Sequence, residues 1–483
     1  MVQRFDTVIA GGTVVTVDAL LKADVAIAGE KIVAVGKGLA RAVSRAARTG
    51  RQAASGTTAS GGPTIIDATG KYVLPGAIDV HVHLDMPFCG TVSSDDYNTG
   101  TKAAARGGVT TVIDFVIPTR DESLQAAVDR WHGKAEGKAC VDYSFHVCIT
   151  NPQRHIAEIP ALIASGIPTV KEFMIYASQG WQADDAAIFE TLEVVREHGG
   201  MLLVHAESAR VLDTLIERHH NPAEMRKYGA KLHTMTRPNY IEAEAIQRAI
   251  AWAEATGGRL YIVHMSTGQG ADLIAAAQDR GVDVLAETCA QYLVLDDSLF
   301  SRKDGHLYAT CPQLKTPEDQ QRLWRGLKHG EVSVISTDTC SFTREQKAMW
   351  QGDWTKIPMG MPGLETLVPV VYTHGVQAKR MSIEDMVAKL ATNPAKIMGL
   401  YPRKGLIAPG SDADIAIIDP QRQIKVDYRK METNTDWSPF QGWSLAGFAE
   451  KTFSRGRLVV DDYRFVGRNG WGRFQKRGTP GRP

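Results

Sequence analysis

Residues 76–84 read GAIDVHVHL, an apolar run that closes on His81 and His83, one residue apart. On an extended strand, side chains at i and i+2 point to the same face, so these two imidazoles stand side by side. Such a pair is costly to bury unless something binds it. Seven further short runs rich in Val and Ile follow: VTTVIDFV (109–116), DYSFHVCIT (142–150), TVKEFMIY (169–176), MLLVHAE (201–207), RLYIVHMS (259–266), VDVLAETC (282–289) and VSVISTDTC (332–340). Between most of them lie Ala-, Glu- and Arg-rich segments such as DESLQAAVDRWHGKAEG and AAIFETLEVVREHGG, whose apolar positions fit a helical period and which often end at Gly. Buried strands alternating with amphipathic helices describe parallel βα units. Eight of them predict an α/β fold, a TIM-type (β/α)8 barrel over residues 71–400.

The flanks read differently. FDTVIAGGTVVT and ADVAIAGEKIVAVG before the barrel, and SDADIAIID and KTFSRGRLVVDD after it, are short strands joined by Gly- and Asp-containing turns. They predict one smaller β-sandwich domain built from both termini, residues 1–70 and 401–465. Residues 40–63, rich in Ala, Gly, Ser and Thr with Arg as the only charged type, read as an exposed insertion. The basic segment 466–483, GRNGWGRFQKRGTPGRP from Gly467 on, reads as an arm packing on a neighbouring subunit.

The bulk numbers exclude several classes of partner. With 55 basic and 54 acidic residues the formal charge is +1, which provides no field to draw nucleic acid or an anionic membrane. A small molecule is the expected partner. No stretch approaches ~18 uninterrupted apolar residues, and the N-terminus lacks a secretory pattern, so a cytoplasmic location is expected. The six cysteines are scattered without a CxxC pair, as in a reduced intracellular chain.

Active sites of such barrels lie at the carboxyl ends of the strands, and the polar residues there are telling. The first run closes with His81 and His83, the fourth carries Lys171, the fifth closes at His205, the sixth at His264 and the eighth at Asp338. Each alone has a bland reading as a rim histidine or a snorkelling lysine. Together, four imidazoles and a carboxylate at one mouth call for a cation, zinc or a similar divalent ion. An ammonium would be repelled there, whereas burial beside positive charge favours the neutral amine. A neutral Lys171 can capture carbon dioxide as a carbamate whose two oxygens bridge two metals.

These residues resemble those of the amidohydrolase superfamily, specifically the dihydropyrimidinase and hydantoinase family. The resemblance covers nearly the whole chain, through KYVLPGAIDVHVHLDMPF, VKEFMIYAS, LLVHAES, RPNYIEAEAI, VHMSTG, ETCAQYL, STDTCSF and NPAKIMGLYPRKGLIAPGSDADIAIIDP. It implies two zinc ions per subunit, a homotetramer, and hydrolytic ring opening of dihydropyrimidines or 5-substituted hydantoins to N-carbamoyl amino acids by a hydroxide bridging the metals. Carried across motif by motif, His81, His83, Lys171, His205, His264 and Asp338 match the ligands. Lys171 would be the N6-carboxylysine, formed with CO2 or bicarbonate. Asp338 matches the general base and acid, and Tyr176 the donor to the developing oxyanion.

The chain departs from the family pattern at TCPQL, where Cys311 stands at the substrate-binding serine, and at IPMG, where Met359 stands at an asparagine. Thr339 replaces a common His beside the site. These changes soften the substrate wall and favour bulkier or less polar ring substituents, or a cyclic imide. Phe88, Phe173 and Trp181 lie in segments that shape the family's substituent pocket. Asp85 stands where dihydroorotases carry an Arg, and Met86-Pro87-Phe88 replaces the Glu-Pro-Gly of allantoinases, so neither relative fits as well. A non-catalytic scaffold relative is disfavoured because every ligand position holds a competent residue.

Overall fold

The computed structural model of the protein describes residues 5–42 and 62–483, so most of the expected insertion at 40–63 lies outside the described residues. Eight parallel strands follow one another in spatial order: β1 (Ala77–Val82), β2 (Val109–Val116), β3 (Asp142–Cys148), β4 (Thr169–Phe173), β5 (Met201–His205), β6 (Leu260–Ile262), β7 (Val284–Cys289) and β8 (Val334–Ser336). All eight are buried along their length, which is why they are rich in Val, Ile and Leu and lack a solvent-facing charged side. The sheet closes on itself just past β8. Val82 pairs in parallel with Thr339, and the His83 N–H donates to the Thr339 carbonyl at 2.8 Å. Asp79, inward on β1, spans the same seam by accepting from the Thr337 hydroxyl at 2.5 Å and its N–H at 3.2 Å.

Helices return the chain between strands: α1 (Thr99–Arg106), α2 (Leu124–Ala135), α3 (Ile159–Ala164), α4 (Asp185–His198), α5 (Asn239–Thr256), α6 (Gly268–Asp279) and α7 (Pro317–His329). Their limits follow local chemistry. In α7 the Thr316 hydroxyl accepts from the Asp319 N–H while the Asp319 carboxylate accepts from the Thr316 N–H, and the helix stops at Gly330, whose φ of +94° suits a residue without a side chain.

The β domain is assembled from both ends of the chain. One sheet has seven strands in the order Arg464–Phe465, Arg457–Asp461, Ala449–Ser454, Ile415–Ile418, Tyr72–Pro75, Thr13–Val15, Leu20–Lys22. The other orders Lys31–Gly36, Asp24–Ala28, Thr7–Ala10 and Thr64–Asp67. Ile9, Val25 and Ile27 of the second sheet share one core with Val14, Val73, Ile415 and Phe453 of the first, which makes a sandwich. The chain crosses from sandwich to barrel at Gly76, where a Cβ would sit 2.2 Å from the Thr110 hydroxyl oxygen. Only glycine fits that crossing.

Far from the strand ends that carry the histidines, buried charges knit the domains together. Lys404 Nζ lies 2.8 Å from Asp142 at the start of β3 and 3.2 Å from Asp412, with Asp414 closer still. Arg455 pairs with Asp142 at 3.0 Å and with Glu30 at 2.8 Å. The C-terminal segment, expected as an arm toward a neighbouring subunit, lies along its own barrel. The Tyr143 N–H donates to the Arg473 carbonyl and the Gln475 N–H to the Tyr143 carbonyl, at 3.1 and 2.7 Å. Buried Arg477 donates to the Phe145 carbonyl and to the Ser144 and Thr169 hydroxyls. A guanidinium has five donors and no acceptor, and these oxygens of β3 and β4 meet several of them.

Candidate active site

Strand alternation explains the first pair: Asp79, His81 and His83 share the inward face of β1, while Ile78, Val80 and Val82 turn to the surrounding core. The two imidazole rings lie 5.2 Å apart, edge to face. Lys171, in the middle of β4, is buried with its Nζ 4.9 Å from the Phe115 ring centre and 5.1 Å from that of Phe173. His205 ends β5. His264 follows β6 by two residues, and its ring lies 4.6 Å from that of His205 and 5.1 Å from that of His81. Asp338 follows β8 by two residues, its Oδ1 3.2 Å from both His81 Nε2 and His83 Nε2. All six side chains therefore line one cavity at the carboxyl rim of the barrel.

The electrostatics suit a cation. Burial, with Lys171 and neighbouring imidazoles adding to it, pushes His81 and His264 well below the ordinary imidazole range, so both present neutral nitrogens. Burial also lowers the Lys171 amine, to about 8. His81 Nε2, His83 Nδ1 and His264 Nδ1 are buried atoms without a hydrogen-bond partner. The unpartnered His81 Nε2 faces Asp338, and His81, His83 and Asp338 together form a donor set that fits a divalent metal.

Backbone strain accompanies the site. Tyr176, His264 and Asp338 have φ of +71°, +38° and +50°, in the left-handed region that non-glycine residues seldom enter. At all three positions the chain leaves regular strand geometry as it passes the rim.

Two carboxylates escaped the reading of the sequence. Glu287, inside β7, accepts from His81 Nδ1, from the His264 N–H at 3.1 Å and from the Tyr261 hydroxyl at 3.0 Å, and burial raises its carboxyl to about 8. Glu207, two residues beyond His205, accepts from His205 Nε2 at 2.8 Å and from the Cys311 thiol at 2.9 Å. Burial alone would raise Glu207, but the His205 contact and Arg237 outweigh it and hold it below the usual carboxylate range. The available signal was a Glu inside the apolar run VLAETC and another after LLVHA.

The substrate-side predictions fall on the same cavity. Cys311 and Met359 line it, packed with Ile175 and Ala209 in a small apolar cluster. Phe88, Phe173, Tyr176 and Trp181 form an aromatic box, in which Phe88 stacks on Trp181 at 5.8 Å and stands edge-on to Tyr176 at 5.6 Å. Burial drives the Tyr176 phenol well above its ordinary range, which keeps it a donor. Thr339 does not line the cavity: its hydroxyl accepts from the Gly363 N–H at 2.9 Å and belongs to the barrel seam.

A closed (β/α)8 barrel with imidazole, amine and carboxylate donors at its carboxyl rim has the architecture of a barrel hydrolase. Residues 72–459 match the amidohydrolase family. The D-hydantoinase of Geobacillus stearothermophilus is 38% identical over 98% of this chain and 97% of its own, and that of Streptomyces coelicolor 37% identical over 98% of each. The crystal structure of dihydropyrimidinase from Brevibacillus agri superposes with a TM-score of 0.92 at 40% identity, covering 99% of this chain and 100% of that one. The chain belongs to the amidohydrolase family, within its dihydropyrimidinase and hydantoinase group.

Proposed function

We propose that this hydrolase opens the ring of dihydropyrimidines or 5-substituted hydantoins, giving N-carbamoyl amino acids. The observation that carries the reading is the meeting of six donor side chains, from five strands and the residues just past them, with the Tyr176 phenol in one cavity. In this reading His81, His83, Lys171, His205, His264 and Asp338 hold two zinc ions, with Lys171 carbamylated so that it serves both. Bound zinc supplies positive charge that polarises a carbonyl and acidifies water at neutral pH.

The chain's own groups do the rest. Asp338, whose Oδ1 faces His81 and His83, takes a proton from the water whose oxygen adds to the ring carbonyl and gives it to the ring nitrogen as the C–N bond breaks. Tyr176 donates its hydroxyl hydrogen to the oxygen that gains charge, a contact that strengthens as charge develops. The box of Phe88, Phe173 and Trp181 receives the ring substituent and keeps water from it. A cyclic imide is a second reading, favoured by the apolar cluster of Cys311, Ile175 and Ala209 beside the ring position. Light scattering tests the proposed homotetramer.

The decisive experiment is a substrate panel on protein prepared with zinc and bicarbonate: dihydrouracil, hydantoin, both hands of 5-substituted hydantoins, succinimide, glutarimide and allantoin. Turnover of dihydropyrimidines or hydantoins ahead of the rest is expected, together with tightly held metal. Protein that retains no divalent metal and opens none of these rings would sink the proposal.

A further inference from the structure

Glu287 belongs to none of the expected ligand sets, yet it contacts two of the candidate ligands, His81 and His264. It is fully buried in β7, one strand before the barrel seam. Its Oε1 reaches across that seam region to His81 Nδ1 on β1 and also accepts from the backbone N–H of His264 at 3.1 Å, while Oε2 accepts from the Tyr261 hydroxyl of β6 at 3.0 Å. One carboxylate oxygen is thus shared by two histidines that reach the rim from opposite sides of its strand.

We infer that Glu287 is the positioning residue of the metal centre, setting the ring of His81 and the backbone of His264 together through a single oxygen. The inference rests on the metal reading above. Two consequences follow from the geometry. With Nδ1 committed to Glu287 as a donor, His81 is left with a bare Nε2, the buried unpartnered atom that faces Asp338. A histidine ligand whose other nitrogen is bound to a carboxylate is fixed in tautomer and ring orientation. His264 sits at a φ of +38°, a conformation that needs holding, and the bond from its N–H to Oε1 holds it there.

A carboxylate present only to satisfy a polar spot in the core would behave differently. Its loss would lower stability without changing how tightly the folded protein grips metal. Glu207 offers an internal contrast, because it holds the ring of His205 alone and spends the same oxygen on the Cys311 thiol.

The test measures zinc content and affinity of the folded protein by graded chelator dialysis, and the visible spectrum of the cobalt-substituted form, for wild type, Glu287→Ala, Glu287→Gln and Tyr261→Phe. Circular dichroism confirms folding, and Glu287→Leu, of similar volume, replaces the alanine variant if that one does not fold. Glu287→Ala is expected to weaken metal binding roughly 10–100-fold, with an altered cobalt spectrum. Glu287→Gln recovers much of the loss because its amide oxygen accepts from both histidines, and Tyr261→Phe changes affinity little. Folded Glu287→Ala or Glu287→Leu that keeps wild-type metal affinity overturns the inference. Wild-type protein that holds no metal overturns the metal reading itself and the inference with it, so the two failures are distinguishable.

Discussion

Two of the buried clusters of ionisable groups among the described residues are built on opposite plans. In the cluster around Lys404, three aspartates meet an ammonium and a guanidinium, every carboxylate has a cationic partner, and the assembly is closed. At the rim, His81, His83 and His264 each keep a buried nitrogen with no partner, and the nearby amine is lowered toward neutrality. Both groups could be sketched as metal sites from their residue types. The difference is internal pairing: Lys404 neutralises the first, and among the described residues no hydrogen-bond partner meets the open imidazole nitrogens of the second. Burying unmet nitrogens is costly, and the gathering of three of them with a carboxylate about one cavity marks the rim as the working end.

The contrast can be broken from either side. The largest effect is expected from Lys171→Ala, which should reduce ring opening to background and lower bound metal, with partial recovery of turnover on adding short carboxylic acids; metal analysis beside the assay reads both. Chelation of wild-type protein should silence it similarly and reversibly, zinc restoring the rate. Tyr176→Phe should keep fold and metal while costing on the order of 10²–10³ in kcat, because one donor to the developing oxyanion is lost. Lys404→Met should do the opposite: it removes the ammonium shared by three buried carboxylates, leaving Asp142 to Arg455 and Asp412 to Lys31 but Asp414 without an ion pair, and should cost about 3–5 kcal/mol in urea unfolding while the metal held per folded chain stays constant. A metal loss as large as that of Lys171→Ala would mean the two clusters are not independent. Smallest, Cys311→Ser should shift the ratio of hydantoin to imide turnover by no more than about tenfold, since it changes one wall atom and leaves the ring-opening groups in place.

Much of the fold was legible because buried parallel strands leave an unmistakable trace. VTTVIDFV and DYSFHVC are buried on both faces, rich in Val, Ile and Phe, and separated by helices with their own period. The ligand candidates were legible for the same reason: an ionisable residue closing an apolar run stands out. Glu287 was not, because its partner His81 is 206 positions away in the chain, and only closure of the barrel brings strand seven within reach of strand one. Thr339 read as a neighbour of the site, but its hydroxyl faces the 361–363 segment. The tail's course was not legible in its composition: Phe474 packs 5.3 Å from Phe145 and Arg477 finds carbonyl and hydroxyl oxygens of its own barrel, contacts between groups more than 300 positions apart.

From the amino-acid sequence alone came the eight βα units, the two-ended β domain, the six donor residues and the family they resemble, because hydrophobic period and residue type are local properties written in order along the chain. Only the tertiary structure decided which nitrogens remain unmet, which carboxylates orient them, that Lys404 already occupies the other acidic cluster, and where the tail lies. Those facts depend on distances between groups remote in the chain, and hydrogen bonds and desolvation are set by distance in space.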